Sequence, residues 1–497
     1  MISRQRYFAT PIPLWECEKC GEVVLARPED CYIDPTIDKP PVENCQKCGG
    51  HLKGCEDVFD TWMDSSISPL YNTFWHRDEK KFKQLYPMSL RAQAHDIIRT
   101  WAFYTILRCT LLTDQKPFEN IMMGGFILSE DGIPMHASLG NVIDPLQVID
   151  EYGSDSFRCY AASCALGEDN PFRRKDVVRG TKLLRKLWNV QQFIGNIIKE
   201  SKPEKPEKLQ DIDIWILTKY SKLVKKCTKQ MDVFDYSQAM KEIEYFLWHE
   251  LADHYIEMIK GSIYHKENVE SIRYTLYTVG LGLLKLFAPI FPHITEEIYW
   301  DLYEDFEDDA SIHVSTWPEP ILIDEEKEKA GDLVKSHIAQ VRPWKSGQGL
   351  ALNAPINATT TYYPSAENIQ RIRPSGSIII STLKYPEDHE FREGKPNIEE
   401  TITAVEPVYA KLGPAFKNES QKISQWIKEH QNDIIKIIEN KGDISISEIP
   451  GIKVTKQEGL LKGGYIQVKK EAGLKGKKGS IILSFDGFYV ELQRKKS

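Results

Sequence analysis

The chain has 497 residues, 41% hydrophobic and 27% charged, with a net charge of −8. That length leaves room for about three domains, and the balance is that of a globular protein, neither disordered nor generally basic. No run approaches the roughly 18 apolar residues of a membrane span. The N-terminal Met-Ile-Ser-Arg-Gln-Arg-Tyr-Phe has no signal-peptide core, so a cytoplasmic location with no membrane partner is expected.

Residues 1–165 mix short β-type runs (Glu22–Ala26, Ile121–Leu128) with helical stretches such as Asp96–Leu112, an alternation expected of an α/β domain. From about Asp176 to Leu302 the apolar residues recur at three- and four-residue spacing, notably in Ile214–Met231, Tyr236–Lys260 and Val269–Phe287. Helices of this kind with short connections form a bundle. After Pro318 the pattern predicts a helix over Glu325–Val341, strands over Ala351–Tyr363 and Ser377–Leu383, and helices over Ile398–Leu412 and Glu419–Asn440. Strands over Lys453–Lys469 and Ser480–Gln493 close an appended α+β domain.

Cysteines cluster early, six of ten lying between Cys17 and Cys55. Cys17-x-x-Cys20-Gly21 and Cys45-x-x-Cys48-Gly49 each place two thiolates on one tight turn, with glycine letting the backbone curl back. Two such turns complete a closed, structural four-thiolate zinc site. Redox pairs are the alternative, and His51 or Cys55 could replace a ligand. Such a site says little about function.

Two basic places break the acidic balance. Pro171–Trp188 carries seven Lys/Arg, among them Arg173, Arg174, Lys175 and Arg185, against one acid. From Lys453 onward there are eleven against four. Either is a phosphate-contacting surface or a solvated face, since counterion release depends on the charges at the contact.

Several segments, in order, carry a resemblance. Ile2-Ser3-Arg4-Gln5-Arg6-Tyr7-Phe8-Ala9-Thr10-Pro11-Ile12-Pro13 runs into the first cysteine pair. Asp57 to Ser66, His95 to Trp101, Met135 to Pro145 and Tyr152 to Asp155 follow. Together they resemble the class I aminoacyl-tRNA synthetases for branched aliphatic amino acids, from the return out of the inserted editing domain onward. Phe246 to Glu257 and Ala288 to Glu297 are similar to the anticodon-binding bundle of those enzymes. Phe8-Ala9 and His95-Asp96-Ile97-Ile98 look most like the valine branch.

The resemblance implies a multidomain layout. Residues 1–165 would be the C-terminal half of a Rossmann-like α/β catalytic domain with a zinc ribbon at 17–55. Residues 166–322 would be an all-α anticodon-binding bundle, and 323–497 a small α+β domain. It implies ATP with Mg2+, valine and tRNA(Val) as substrates and partners, and Zn2+ held by Cys17, Cys20, Cys45 and Cys48. Trp62 and Ile97 would wall the valine pocket, with His95 and Asp96 beside it. Met135, His136 and Ser138 would form the ATP loop. Arg173, Arg174, Lys175 and Arg185 would contact tRNA backbone, which positions without reading sequence.

Two departures stand out. The opening strand, His-x-Gly-His-type loop and helix of the class I fold do not occur, nor does the editing domain. The ATP loop, normally Lys-Met-Ser-Lys-Ser, reads Pro134-Met135-His136-Ala137-Ser138. Loss of one preorganised charge donor costs about 3–4 kcal/mol at a transition state, and a histidine is mostly neutral near pH 7. Three explanations follow: a split enzyme completed by a separate N-terminal synthetase chain, a fragment of a longer frame, or a non-catalytic tRNA-binding relative. In the first two, an incomplete parallel sheet leaves an edge and an apolar face open, so association through residues 1–165 is expected.

Overall fold

A computed structural model describes residues 2–198, 201–453, 458–477 and 479–493. The chain divides into two compact units, residues 1–182 with 230–240, and residues 183–229 with 241–497.

The first unit opens with β1 (Ser3–Arg4) and a three-stranded antiparallel sheet of β2 (Leu14–Cys17), β3 (Val23–Leu25) and β4 (Leu52–Gly54), with β2 central. Trp15 is fully buried among Cys17, Cys45 and Leu52, so this small layer has its own core. β5 (Val58–Phe59) pairs with β1 and leads into α1 (Thr61–Ser65), α2 (Ser68–Asn72) and α3 (Glu79–Leu85). Asp60 caps α1 by accepting from the Trp62 N–H, and Asp78 caps α3 in the same way. Each satisfies a backbone donor that the helix start would otherwise leave open.

The sheet proper is parallel: β6 (Met88–Ala94) pairs with β7 (Phe118–Gly124), joined by α4 (Phe103–Thr113). A 3-10 turn at His95–Ile97 and a π turn at Ile98–Ala102 precede α4, so the helix expected over Asp96–Leu112 is regular only in its second half. β8 (Ile127–Leu128) pairs in parallel with β9 (Asn170–Pro171). Between these last two strands lie α5 (Pro145–Tyr152) and α6 (Ser154–Ser163), packed around Val148, Tyr160, Phe172 and Val177.

Long helices follow: α7 (Arg174–Ile198), α8 (Asp211–Asp232), α9 (Tyr236–Tyr245), α10 (Ile256–His265), α11 (Val269–Phe287) and α12 (Pro292–Leu302), with a π segment over Phe246–Tyr255 joining α9 to α10. Small residues set close approaches: a Cβ on Gly282 would lie 1.8 Å from the Tyr220 hydroxyl. α13 (Glu325–Gly347) is tied to the bundle by Lys327–Asp211, Lys219–Asp332, Lys335–Glu250 and Arg342–Glu257 ion pairs.

The remainder holds a mixed sheet in the order β11 (Glu390–Glu393), β10 (Ala358–Tyr363), β15 (Phe488–Gln493), β14 (Ser480–Phe485), with α14 (Ala366–Ile372) and α15 (Gly376–Leu383). A long ribbon of β12 (Ile398–Pro407) and β13 (Ile466–Leu474) packs on α16 (Tyr409–Phe416), α17 (Ser420–Glu429) and α18 (Gln431–Glu439). Three expectations are corrected here. Ser377–Leu383 is helix, not strand, because Ile378, Ile379 and Leu383 bury on one side of a helix packed on α10 and α13. Ile398–Leu412 starts as strand, because its backbone pairs with β13 over nine positions. The strand expected over Lys453–Lys469 begins only at Ile466, and residues 454–457 lie outside the described residues, as do five of the eleven basic residues counted from Lys453.

Candidate functional site

The four cysteines of the paired turns come together. Their sulfurs all lie within 4.8 Å of one another, with Cys17–Cys48, Cys20–Cys45 and Cys20–Cys48 separations of 3.4, 3.7 and 3.2 Å. A tetrahedron of sulfurs about 2.3 Å from zinc has edges of about 3.8 Å, so the donor set fits that ion. Gly21 and Gly49 take φ of 69° and 67°, and their N–H groups bond back to Cys17 and Cys45 carbonyls. Burial works against ionising Cys17, but the N–H groups of Lys19 and Cys20 and the neighbouring thiols outweigh it and bring that thiol down to about 6. The Cys48 neighbour of Cys20 pushes that one up to about 12. Four crowded sulfurs resist full ionisation until a cation compensates them. His51 pairs with Glu18 and Cys55 donates to the Asp57 carbonyl, so neither joins the cluster.

Trp62 sits in the first turn of α1 and is 43% exposed. Arg4 and Thr10 hold this helix start through Asp60 and Asp64, at 2.5 and 2.7 Å. The guanidinium of Arg4 beside Asp60 holds that carboxyl below its usual range. Ile97 lies in the 3-10 turn that follows β6 and packs against the cluster of Trp101, Ala102 and Phe118. Trp101, buried, donates its indole N–H to the Ser65 hydroxyl at 2.9 Å and so ties α1 to the π turn that follows Ile97. Arg91 stacks over the same indole, its guanidinium carbon 4.0 Å from the ring.

His95 is held by a residue 74 positions away: its Nε2 is 2.9 Å from Asp169 Oδ1, which also accepts from the Phe126 N–H at 2.8 Å. Asp169, just before β9, thus links the end of β6 to the segment entering β8, and His95 lies edge-on to Phe126. The close approach needs Gly125, because a Cβ there would meet the Glu168 carbonyl oxygen at 1.9 Å. His95 in turn keeps Asp169 below the usual carboxylate range. Asp96 is exposed, with no bonded partner among the described residues. Asp169 lies outside every segment that carries the resemblance, and Trp101 enters only as the last residue of the His95 to Trp101 segment, with no role of its own. No local pattern marks Asp169, and nothing in the spacing of Trp101 points to Ser65.

The loop Pro134–Ser138 is exposed apart from half-buried Met135, whose sulfur accepts from the Ile143 N–H. His136 Nδ1 lies 2.7 Å from the Ser138 hydroxyl and accepts from the Ser138 N–H. Nδ1 is therefore an acceptor, and a neutral His136 carries its proton on Nε2. Pro134 pairs with Leu128, placing the loop directly after β8. Of the basic residues, Arg174 is paired with Glu151, while Arg173, Lys175 and Arg185 are exposed with no ion pair among the described residues.

Comparison with known proteins gives this arrangement a class. Residues 1–173 match the family described as tRNA synthetases class I (I, L, M and V), and residues 213–360 match the anticodon-binding domain of tRNA ligase. Two segments of the chain are thus similar to domains of class I tRNA synthetases. Its relatives narrow the class. It is 38% identical over 493 residues to a protein of Pyrococcus horikoshii named valine--tRNA ligase, covering 96% of this chain and 54% of that one. It is 40% identical over 461 residues to the valine--tRNA ligase of Methanothermobacter thermautotrophicus, covering 91% and 51%. The chain therefore spans about half the length of the curated relatives it matches. Among solved structures it is similar in fold to the agnB2 LeuRS of Agrobacterium radiobacter K84, crystallised as a ternary complex with tRNA and LeuAMS. The TM-score is 0.53 at 21% identity, over 66% of this chain and 42% of that one.

Proposed function

We propose that the chain works as the C-terminal part of a valine--tRNA ligase, activating valine with ATP and passing it to tRNA(Val). The observation that carries this reading is the match to valine--tRNA ligases along nearly the whole chain. Trp62 and Ile97, tied together through Trp101 and Ser65, would wall a pocket suited to a small branched side chain. Such a wall discriminates by only about 1–3 kcal/mol per methylene. Asp169 orients His95 beside it, and Asp96 is free to meet a substrate group. In the reaction, a valine carboxylate oxygen attacks the α-phosphorus of Mg2+-bound ATP and pyrophosphate leaves. The tRNA 3′-terminal hydroxyl then displaces AMP. The loop residues Met135, His136 and Ser138 would lie against the departing phosphates, with His136 Nε2–H as donor. Arg173, Lys175 and Arg185 would meet tRNA phosphates, and Cys17, Cys20, Cys45 and Cys48 would hold structural Zn2+.

Half of the catalytic fold would have to come from elsewhere, on the same or a separate polypeptide. In support, α4 turns Phe103, Leu107, Leu111 and Leu112 outward around an apolar groove of about 340 Å3, and the buried amide of Gln93 on β6 has no partner among the described residues. The second reading, a catalytically silent tRNA-binding relative, is favoured by Pro134 and Ala137 where the family has lysines. Valine-dependent exchange of labelled pyrophosphate into ATP tests both. We expect exchange when this chain is mixed with the first half of the Pyrococcus horikoshii ligase, and its loss in Trp62→Ala. A mixture that forms and binds tRNA yet exchanges nothing leaves the silent reading standing.

A further inference from the structure

We propose that the second unit contains a binding site for a small, non-aromatic phosphate monoester, in the cleft where the starts of α8, α11 and α15 meet. The cleft is about 590 Å3, within the range of small-molecule sites. It shares no residue with the candidate ligase site, and the proposal does not rest on the ligase reading.

Three observations define the ligand. First, the cleft is bordered by the first turn of α8, by Asn268 just before α11, and by Ser375 and Ser377 at the start of α15. The open N–H groups of a helix start carry about half a positive charge and favour a phosphate. Neither Asn268 nor Ser375 turns its side chain back to cap its own helix, although residues of these types usually do.

Second, Ser375 is only 4% exposed, yet its hydroxyl has no hydrogen-bond partner among the described residues. Its oxygen is not sealed from solvent as those of Thr275 and Thr359 are, so it opens on the cleft that Ser375 lines. A buried hydroxyl left unpaired costs about 1–3 kcal/mol, and an anion seated between the helix starts would accept from it.

Third, the charge of the lining is positive, with Lys208 and Lys327 against Asp211 alone. Lys327 and Asp211 pair at 2.7 Å, which leaves Lys208 exposed with no ion pair among the described residues. The nearby acids are engaged elsewhere: Glu270 pairs with Arg273, and Asp213 accepts from the Ser271 and Tyr255 hydroxyls. A dianion with three terminal oxygens can meet several helix starts at once, whereas a diester offers two oxygens and one charge. No aromatic ring lines the cleft among the described residues, so nothing there stacks on a base. The amides of Gln210 and Asn268 suit the hydroxyls of a polar alcohol carrying the phosphate.

Glycerol 3-phosphate has these features and serves as the probe. Calorimetry on the full chain should show it binding, and dimethyl phosphate, a diester, should bind at least about tenfold more weakly. Lys208→Glu should lower glycerol 3-phosphate affinity about tenfold. Ser375→Ala should lower it about three- to tenfold and leave the denaturation midpoint of the ligand-free chain unchanged, because that chain loses no hydrogen bond. The proposal is overturned if glycerol 3-phosphate does not bind, or if neither variant alters its affinity, which would place the anion elsewhere. A lowered ligand-free midpoint in Ser375→Ala would also overturn it, since the hydroxyl would then serve the fold. Dimethyl phosphate binding as tightly as glycerol 3-phosphate would overturn the monoester assignment.

Discussion

α4 and α11 are both apolar helices, yet their surroundings are opposite. α11 buries 14 of its 19 residues, with Leu276, Leu283, Leu284 and Phe287 fully enclosed. α4 buries only two of its 11, Thr105 and Cys109, and leaves Leu111 76% exposed and Phe103 53% exposed. A helix that faces its apolar side outward gains nothing from it until something covers it. The bundle completes its own core, whereas α4 leaves its apolar side uncovered among the described residues.

The largest effect should come from the four cysteines that close the small layer around Trp15. Cys45→Ser, or a strong zinc chelator, should unfold residues 14–55, since structural zinc sites contribute on the order of 10 kcal/mol. Limited proteolysis should then cut within that segment while the helical circular dichroism persists. Purified chain without stoichiometric zinc by mass spectrometry would contradict this. Next, Leu283→Ala in α11 should destabilise the bundle by about 2–5 kcal/mol, read as a lowered denaturation midpoint.

A third effect is set by pH. Burial raises the Asp213 carboxyl to about 6, against the hydrogen bonds from the Ser271 and Tyr255 hydroxyls. An unfolded aspartate titrates near 3.9, so the folded state binds the extra proton and this contribution is lost as pH rises from 4 to 6. Two pH units correspond to about 3 kcal/mol. Wild type should therefore gain stability over Asp213→Asn as pH falls from 7 to 4, and a constant difference would refute the assignment. His337 has the opposite sign. Burial, with His389 nearby, lowers it to about 3, so its contribution is lost as pH falls below about 6.5. Comparing wild type with Asp213→Asn at each pH cancels that slope.

The smallest effect falls on α4. Leu111→Ala should change stability by no more than about 0.5 kcal/mol, yet reduce self-association or partner binding in sedimentation. Were Leu111→Ala to cost as much as Leu283→Ala, the contrast between the two helices would collapse.

Local chemistry determined much of this protein. Each Cys-x-x-Cys-Gly turn is a matter of five residues, and the structure gathers all four thiols. Helical periodicity gave α11 its observed limits, because three- and four-residue spacing is itself the burial pattern. Only the tertiary structure decided the rest. The isoleucine run at 378–380 favours a strand locally but is helical because it packs on α10 and α13. The segment Ile398–Pro407 is a strand because its partner lies some 60 residues onward. Asp169 finds His95, and Trp101 finds Ser65, through chain crossings that no local spacing encodes. The outward apolar side of α4 reads in sequence like any core helix. Its exposure is set by which neighbours are present, a property of the assembled fold and not of the eleven residues themselves.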